Sequence, residues 1–390
     1  MSTQGRDIVF LGTHGQYNIG DELLLDTFLT QLGPQHRYVV NSYDPQFTRE
    51  QLAGRFEVEV IDTAKDRRAL LGALRRCDLL VFGGGSIIKE LYASTGRNRY
   101  ATLLMILAIV TFTRRVVRKP IAMLNVGVGP LRSPRGLRLA KLILSQVDLL
   151  TVRDERSVAT CRSIGVPAVA ATDAVFSVDR EFLLGAGQPP TEQLTPDDET
   201  GEDPRRVRVA LNLNYDIENP DSWEQFQARL ATCLEQLDGQ CPIEVHALPM
   251  QAGFKENDDV KVIDAFMARL PSVPFVRHDL TSHRDAARLL ASCDIVVSER
   301  LHAIVMAAIL GVPSLVLAYD VKVRELAKML GVEPWCVDIN QSIDVDDVRE
   351  RLVRLIAQRT AVGGQVESRS AELREQARAN FDDARRWASR

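Results

Sequence analysis

A histidine placed two residues after an arginine, as Arg300 and His302 stand in "SERLHAIVMAAILGVP" (298–313), is suited to acid–base chemistry on an anion. Imidazole titrates near neutral pH, and a guanidinium binds carboxylate or phosphate. The stretch reads as a strand end, a turn and an apolar helix. Both cations then fall near the helix start, where the dipole disfavours positive charge unless an anion is resident. Lys322, with Arg324 beside it in "LVLAYDVKVREL" (315–326), lies just past the next apolar run. Successive βα units commonly set their strand ends side by side, which would bring His302 and Lys322 to one pocket. Arg153 in "LLTVRDERSVA" (149–159) directly follows another run. Each has a plainer reading: a core histidine, a solvated lysine, an arginine paired with Asp154 or Glu155.

Glycine-rich turns accompany these cations. "GTHGQYNIGDELLLDTFL" (12–29) carries Gly12, Gly15 and Gly20, with Asn18 as a polar contact and Asp21 and Glu22 suited to a first helical turn. "FGGGSIIKEL" (82–91) places Gly83, Gly84 and Gly85 at a strand end, where their amides are open to a ligand. "NVGVGPLRSPRG" (125–136) has the same character through Gly127 and Gly129; its Arg132 and Arg135 read as solvated. None of these turns is a GxGxxG, and no acid ends the run "YVVNSYDP", so a dinucleotide fingerprint fails twice.

The elements that must position these loops are legible in the hydropathy. "DIVFLG", "YVVNSY", "VEVID", "DLLVFGGG", "IAMLNVGVG" and "LLTVRD" alternate with helical patterns in the first half, and "VRVALNLN", "IEVHALP", "DIVVS" and "SLVLAYD" do so in the second. Continuous apolar runs of this length suit parallel strands covered on both faces. The expected architecture is α/β, with two Rossmann-like domains facing a cleft. Residues 1–184 form the first domain, and 185–206, rich in Pro, Gly and acid, form a linker or surface loop. Residues 207–365 form the second domain, carrying His302 and Lys322, and 366–390 form a charged helix able to cross back onto the first. Ligands bind such sheets at the carboxyl ends of the strands.

Composition narrows the function. A net charge of −4 over 390 residues makes no electrostatic case for nucleic acid, so four cations collected at strand ends point instead to a small polyanion. The six cysteines have no metal-ligand spacing and read as buried thiols in a reducing compartment. No metal and no resident cofactor is expected. The N-terminus has no basic region followed by an apolar one, so a cytoplasmic location is expected. "ATLLMILAIVTFT" (101–113) is too short to span a bilayer and runs into "RRVVRK" (114–119). It reads first as a buried helix, and second as a face touching the inner side of an anionic membrane.

Taken in order, "GQYNIGDE", "FGGGS", "NVGVGP", "TVRDERS" and "SERLHAIVMAAILGVPSLVLAYDVKVREL" resemble the polysaccharide pyruvyl transferase family over roughly residues 8–340. The resemblance implies a GT-B-like fold with the acceptor on the N-terminal side. It implies transfer of pyruvate from phosphoenolpyruvate to a cell-envelope sugar, polymeric or lipid-linked, with release of phosphate. It places His302 as the catalytic histidine and Arg153 and Lys322 as donor-binding cations, with Arg300 beside them. The glycine loops, with Asn18, Gly20 and Asp21, would line the substrates. Two rivals remain: a GT-B glycosyltransferase with a nucleotide-sugar donor, and a non-catalytic sugar- or anion-binding protein.

Overall fold

In the computed structural model, residues 5–63, 65–91, 98–185, 205–215 and 220–389 are described. Most of the 185–206 linker, residues 186–204, lies outside them. The chain divides into two compact units. Met1–Gln16, Asp21–Ser177 and Leu373–Arg390 make the first, and Tyr17–Gly20 with Val178–Glu372 make the second.

The first unit is built on seven parallel strands: β1 (Asp7–Leu11), β2 (Arg37–Ser42), β3 (Glu57–Asp62), β4 (Leu79–Gly83), β5 (Ile121–Val126), β6 (Leu149–Val152) and β7 (Val169–Ala170). Their order is β3-β2-β1-β4-β5-β6-β7. The interior strand β5 is buried at every residue, which is why its sequence shows no alternation. Its helical cover includes Ala101–Thr111 and Pro134–Leu144. The first sends Leu103, Ile106 and Val110 into the core at helical spacing.

The second unit repeats the pattern with β8 (Val207–Asn212), β9 (Ile243–Ala247), β10 (Phe275–Val276), β11 (Ile295–Ser298), β12 (Ser314–Ala318) and β13 (Cys336–Asp338). The order is β10-β9-β8-β11-β12-β13, again parallel throughout. Each sheet reverses its strand order once, between β1 and β4 and between β8 and β11. Loops leaving those strands flank the crevice such sheets use for ligands. The two Rossmann-like sheets that the apolar runs call for are therefore both present.

The division falls at Ser177/Val178, a few residues before 184/185. The short helix Arg180–Leu184 belongs to the second unit because it packs on helix His283–Ala291, with the Phe182 and His283 rings stacked at 5.9 Å. The last helix, Arg359–Ala388, contributes to both units. Its earlier part serves the second, where Arg369 Nε donates to the Met329 carbonyl at 2.8 Å. From Leu373 on it serves the first: Phe381 meets Phe28 edge-on at 5.3 Å, and Arg378 donates to the Ser177 carbonyl.

Candidate functional site

In the second unit, helix Leu301–Ile309 begins straight after β11 and has Arg300 at its N-cap. No side chain caps it. Instead Asn212, from the end of neighbouring β8, accepts from the Arg300 backbone N–H at 3.1 Å. The Arg300 guanidinium, 13% exposed, is gripped bidentately by Asp259, with Nη2 to Oδ1 at 2.6 Å and Nε to Oδ2 at 3.2 Å. Asp259 is itself fixed by Asn212 Nδ2 and the Met250 amide. The anion that the sequence demands at this helix start is thus supplied by the chain. Arg300 was expected to bind the donor; in the structure its guanidinium is paired with Asp259 beside the helix that carries His302.

His302 stands in the first turn of that helix, half-buried. The turn Tyr17–Gly20 is locked to the same unit by the Ile19 N–H donating to the Met250 carbonyl at 2.8 Å and by a bridge between Asn18 and Gln251. Asn18 Oδ1 accepts from the Gly20 amide at 3.0 Å. The Gly20 backbone then lies so close to the imidazole that a Cβ there would sit 2.2 Å from His302 Nδ1. Only glycine allows that approach.

Helix Val321–Leu330 starts after β12, the neighbour of β11, and Asp320 caps it. Lys322 is in its first turn, with Nζ 5.1 Å from the Tyr319 ring centroid. His302 and Lys322 therefore occupy the first turns of helices that follow adjacent parallel strands. Asn18, Gly20 and Arg300 complete this cluster.

A second cluster forms inside the first unit, where the loops after β4, β5 and β6 meet. The Gly127 amide donates to the Gly85 carbonyl at 2.8 Å. Arg153, 6% exposed, donates from Nη2 to Ser86 Oγ at 2.9 Å and from Nη1 to Asp173 Oδ2 at 3.3 Å; Asp154 Oδ2 is 3.8 Å from its Nε. A Cβ at Gly127 would lie 2.9 Å from Ser86 Oγ and 3.3 Å from Arg153 Nε, so the glycine makes room for both. Gly84 and Gly85 have positive φ, and Gly129 precedes a cis proline, Pro130. Gly83 closes β4 against the Phe10 ring. Asp21 begins this unit's share of helix Ile19–Leu32, as an acid in the first turn.

Sequence reasoning missed Asp173, Ser86, Asp259 and Asn212. Ser86 was visible as the residue ending "FGGGS", and Asn212 as the first asparagine of "VRVALNLN". Asp173 and Asp259 carry no local signal. In the first βα turn it read Glu22 only as an acid suited to a helix start, and it passed over His14. Glu22 Oε1 reaches back to the Gly15 amide at 2.7 Å, and burial raises its carboxyl from 4.5 to about 8. His14 is buried against the Phe10 ring, and burial lowers it to about 3. Among the described residues no group of three or more His, Cys, Asp or Glu could hold a metal ion.

Comparison with known proteins now adds to this geometry. The family model described as polysaccharide pyruvyl transferase matches residues 18–321. No curated protein matches the chain significantly. Among solved structures it is similar to the UDP-GlcNAc 2-epimerase from Neisseria meningitidis bound to UDP-GlcNAc, at 11% identity and a TM-score of 0.57, covering 95% of this chain and 98% of that one. The S. aureus MnaA–UDP co-structure gives 10% identity and a TM-score of 0.60, covering 95% and 94%. A glycosyltransferase from Rickettsia africae gives 9% and 0.56, covering 97% and 94%. At such identities the likeness speaks for the fold, which is of the GT-B kind.

Proposed function

The chain belongs to the polysaccharide pyruvyl transferase family, and from that premise we propose that it moves pyruvate from phosphoenolpyruvate onto two hydroxyls of a sugar in a cell-envelope polysaccharide or its precursor. The single observation that carries the reading is the His302 ring, held against the Gly20 backbone at a helix start beside that of Lys322. An acid kept in one place at a helix start, with a lysine at the start of the neighbouring helix, suits an enol phosphate.

The chemistry balances as follows. A first sugar hydroxyl adds to C2 of phosphoenolpyruvate while C3 takes a proton, turning the methylene into a methyl, and the proton the hydroxyl gives up restores the histidine's. Histidinium at position 302 is the proton donor. The C2–O bond to phosphate then breaks and inorganic phosphate departs with that electron pair. A second hydroxyl adds to C2 and gives its proton to the departing phosphate, closing a cyclic ketal. Lys322 and Arg153 are the cations assigned to the donor's carboxylate and phosphate, whose charge grows as the bond breaks. Arg300, read from the sequence as a further donor cation, also holds the His302 loop on Asp259. No resident cofactor takes part, since phosphoenolpyruvate is consumed as co-substrate.

The test is incubation with phosphoenolpyruvate and a panel of acceptor glycans, following phosphate release and the mass of the sugars, with donor binding measured in the same tubes. Acceptor-dependent phosphate with a ketal mass gain, lost in His302→Ala, is the expected result. A second reading draws on the UDP and UDP-GlcNAc named with two of the similar structures: a nucleotide-sugar donor. Release of nucleotide instead of phosphate, or binding of UDP without binding of phosphoenolpyruvate, would decide for it. Donor binding without turnover on any acceptor, and unchanged in His302→Ala, would favour a binding protein.

A further inference from the structure

Between Glu90 and Asp148 the sequence contains no acidic residue, although the chain has 52 in 390; the same stretch holds ten Lys and Arg. Two helices of this acid-free stretch lie side by side on the first unit. Tyr100 OH meets Ser133 Oγ at 3.0 Å at one end, and Gln146 Nε2 meets Thr111 Oγ1 at 3.3 Å at the other. Ala101–Thr111 and Pro134–Leu144 therefore run parallel and present one joint outer surface.

That surface is apolar where soluble helices are normally polar. Leu104 is 42% exposed, Met105 56%, Val116 64% and, from the second helix, Leu142 54%. These are four of the large hydrophobic side chains that the molecule leaves to solvent, and they are grouped on two neighbouring elements. The helix continues as a π-helical segment, Phe112–Val117. Eleven residues make about three turns, so Arg115 returns to the side of Leu104 and Val116 to that of Met105. Arg115 and Arg118 are exposed at this end, and Arg138 and Lys141 flank Leu142. Among the described residues, none of these four cations has a carboxylate partner. Other nearby cations are already used: Arg114 pairs with Asp148, and Arg75 and Arg135 stack on Phe112 and Tyr100.

We infer that this face docks on an anionic lipid surface, with Leu104, Met105, Val116 and Leu142 entering the acyl boundary and Arg115, Arg118, Arg138 and Lys141 at the headgroups. Charge complementarity carries the choice of occupant. A two-fold contact with a second copy would set this basic face against itself, and a nucleic acid would leave the leucines and methionine in water. No helix of the described residues is long and apolar enough to cross a membrane, so the contact is one of lying on the surface. The inference rests on this surface alone and stands apart from the choice of donor.

The test is sedimentation of the full chain with phosphatidylcholine vesicles, with and without a quarter of phosphatidylglycerol. Binding should be at least about tenfold stronger with the anionic lipid and should weaken in high salt. Arg115→Glu should weaken it by about fivefold or more, the effect of one basic residue near a charged bilayer. Leu104→Ser with Met105→Ser removes only exposed side chains and should weaken binding to anionic vesicles while leaving the melting temperature unchanged. No binding to anionic vesicles, equal binding to both lipids, or full binding by the serine variant would overturn the inference. Concentration-dependent dimerisation without lipid, abolished by the serine variant, would assign the face to a second copy instead.

Discussion

The cluster around Arg153 in the first unit and the cluster around Arg300 in the second are built alike and paired differently. Each has a near-buried arginine after a parallel strand and a glycine whose missing side chain admits a neighbour. Gly127 makes room for Arg153, and Gly20 for His302. The arginines part company in their partners. Asp259 holds Arg300 through two short contacts, 2.6 Å and 3.2 Å, so little of its field is left over. Arg153 has a hydroxyl at 2.9 Å, one carboxylate oxygen at 3.3 Å and another at 3.8 Å. A buried guanidinium must be paired to offset its desolvation. Looser pairing retains more attraction for an arriving anion. Burial and residue type are thus shared by a strut and a proposed donor cation; partner geometry separates them.

The comparison can be sharpened first at the glycines. Gly20→Ala puts a carbon 2.2 Å from the imidazole nitrogen, so the ring must move. Since misplacement by about 1 Å can cost about 100-fold in rate, kcat should fall by a factor of that order in turnover assays. Gly127→Ala meets Ser86 Oγ at 2.9 Å and Arg153 Nε at 3.3 Å, which smaller shifts can relieve. Its loss should be several-fold smaller and should show in KM for phosphoenolpyruvate. An equal effect at the two glycines would remove the distinction between a reacting and a binding cluster.

Arg300→Gln tests the strut. It leaves Asp259 buried and deprived of its charge partner, although Asn212 and the Met250 amide still donate. A loss of about 3 kcal/mol is expected, which calorimetry would register as roughly 6–12 °C in Tm. A variant that melts with the wild type would mean that the pair contributes little to the fold. Arg300 would then be open to the donor-binding role first read from its position.

The smallest expected effect concerns the turn between β1 and its helix. Glu22 is raised to about 8, so between its ordinary 4.5 and that value the folded chain keeps a proton that the unfolded chain has lost. Stability from this group is full below 4.5, declines as pH rises, and is gone above about 8. His14, lowered to about 3, acts in the opposite sense, favouring the fold above its ordinary 6.5 and losing that contribution as pH falls. Glu22→Gln should therefore flatten the fall in Tm between pH 5 and 9. An unchanged profile would mean that the carboxylate is ionised in the fold.

How far the sequence could be read depended on whether a feature is local. Ten strands carry apolar runs long enough to read, most of them because a parallel strand under helices must be buried on both faces. The three that went unseen, β7, β10 and β13, are two- or three-residue edge strands, which pair on one side and need no such run. The glycine turns and the helix starts with their cations were legible because their cause lies within a few residues. The partners that decide between the arginines were not: Asp259 is 41 positions from Arg300, and Asp173 is 20 from Arg153. Nothing near either acid marks it as a partner, and only the folded sheet brings them together.

The most direct measurement is a calorimetric titration of the full chain with phosphoenolpyruvate, wild type beside Arg153→Gln, with circular dichroism to confirm that both are folded. The wild type should bind saturably, and the variant about 10- to 100-fold more weakly, as expected for lost hydrogen bonds to a charged ligand. Equal affinity in a folded variant would contradict the assignment of Arg153. Absence of saturable binding to the wild type would contradict phosphoenolpyruvate as the donor.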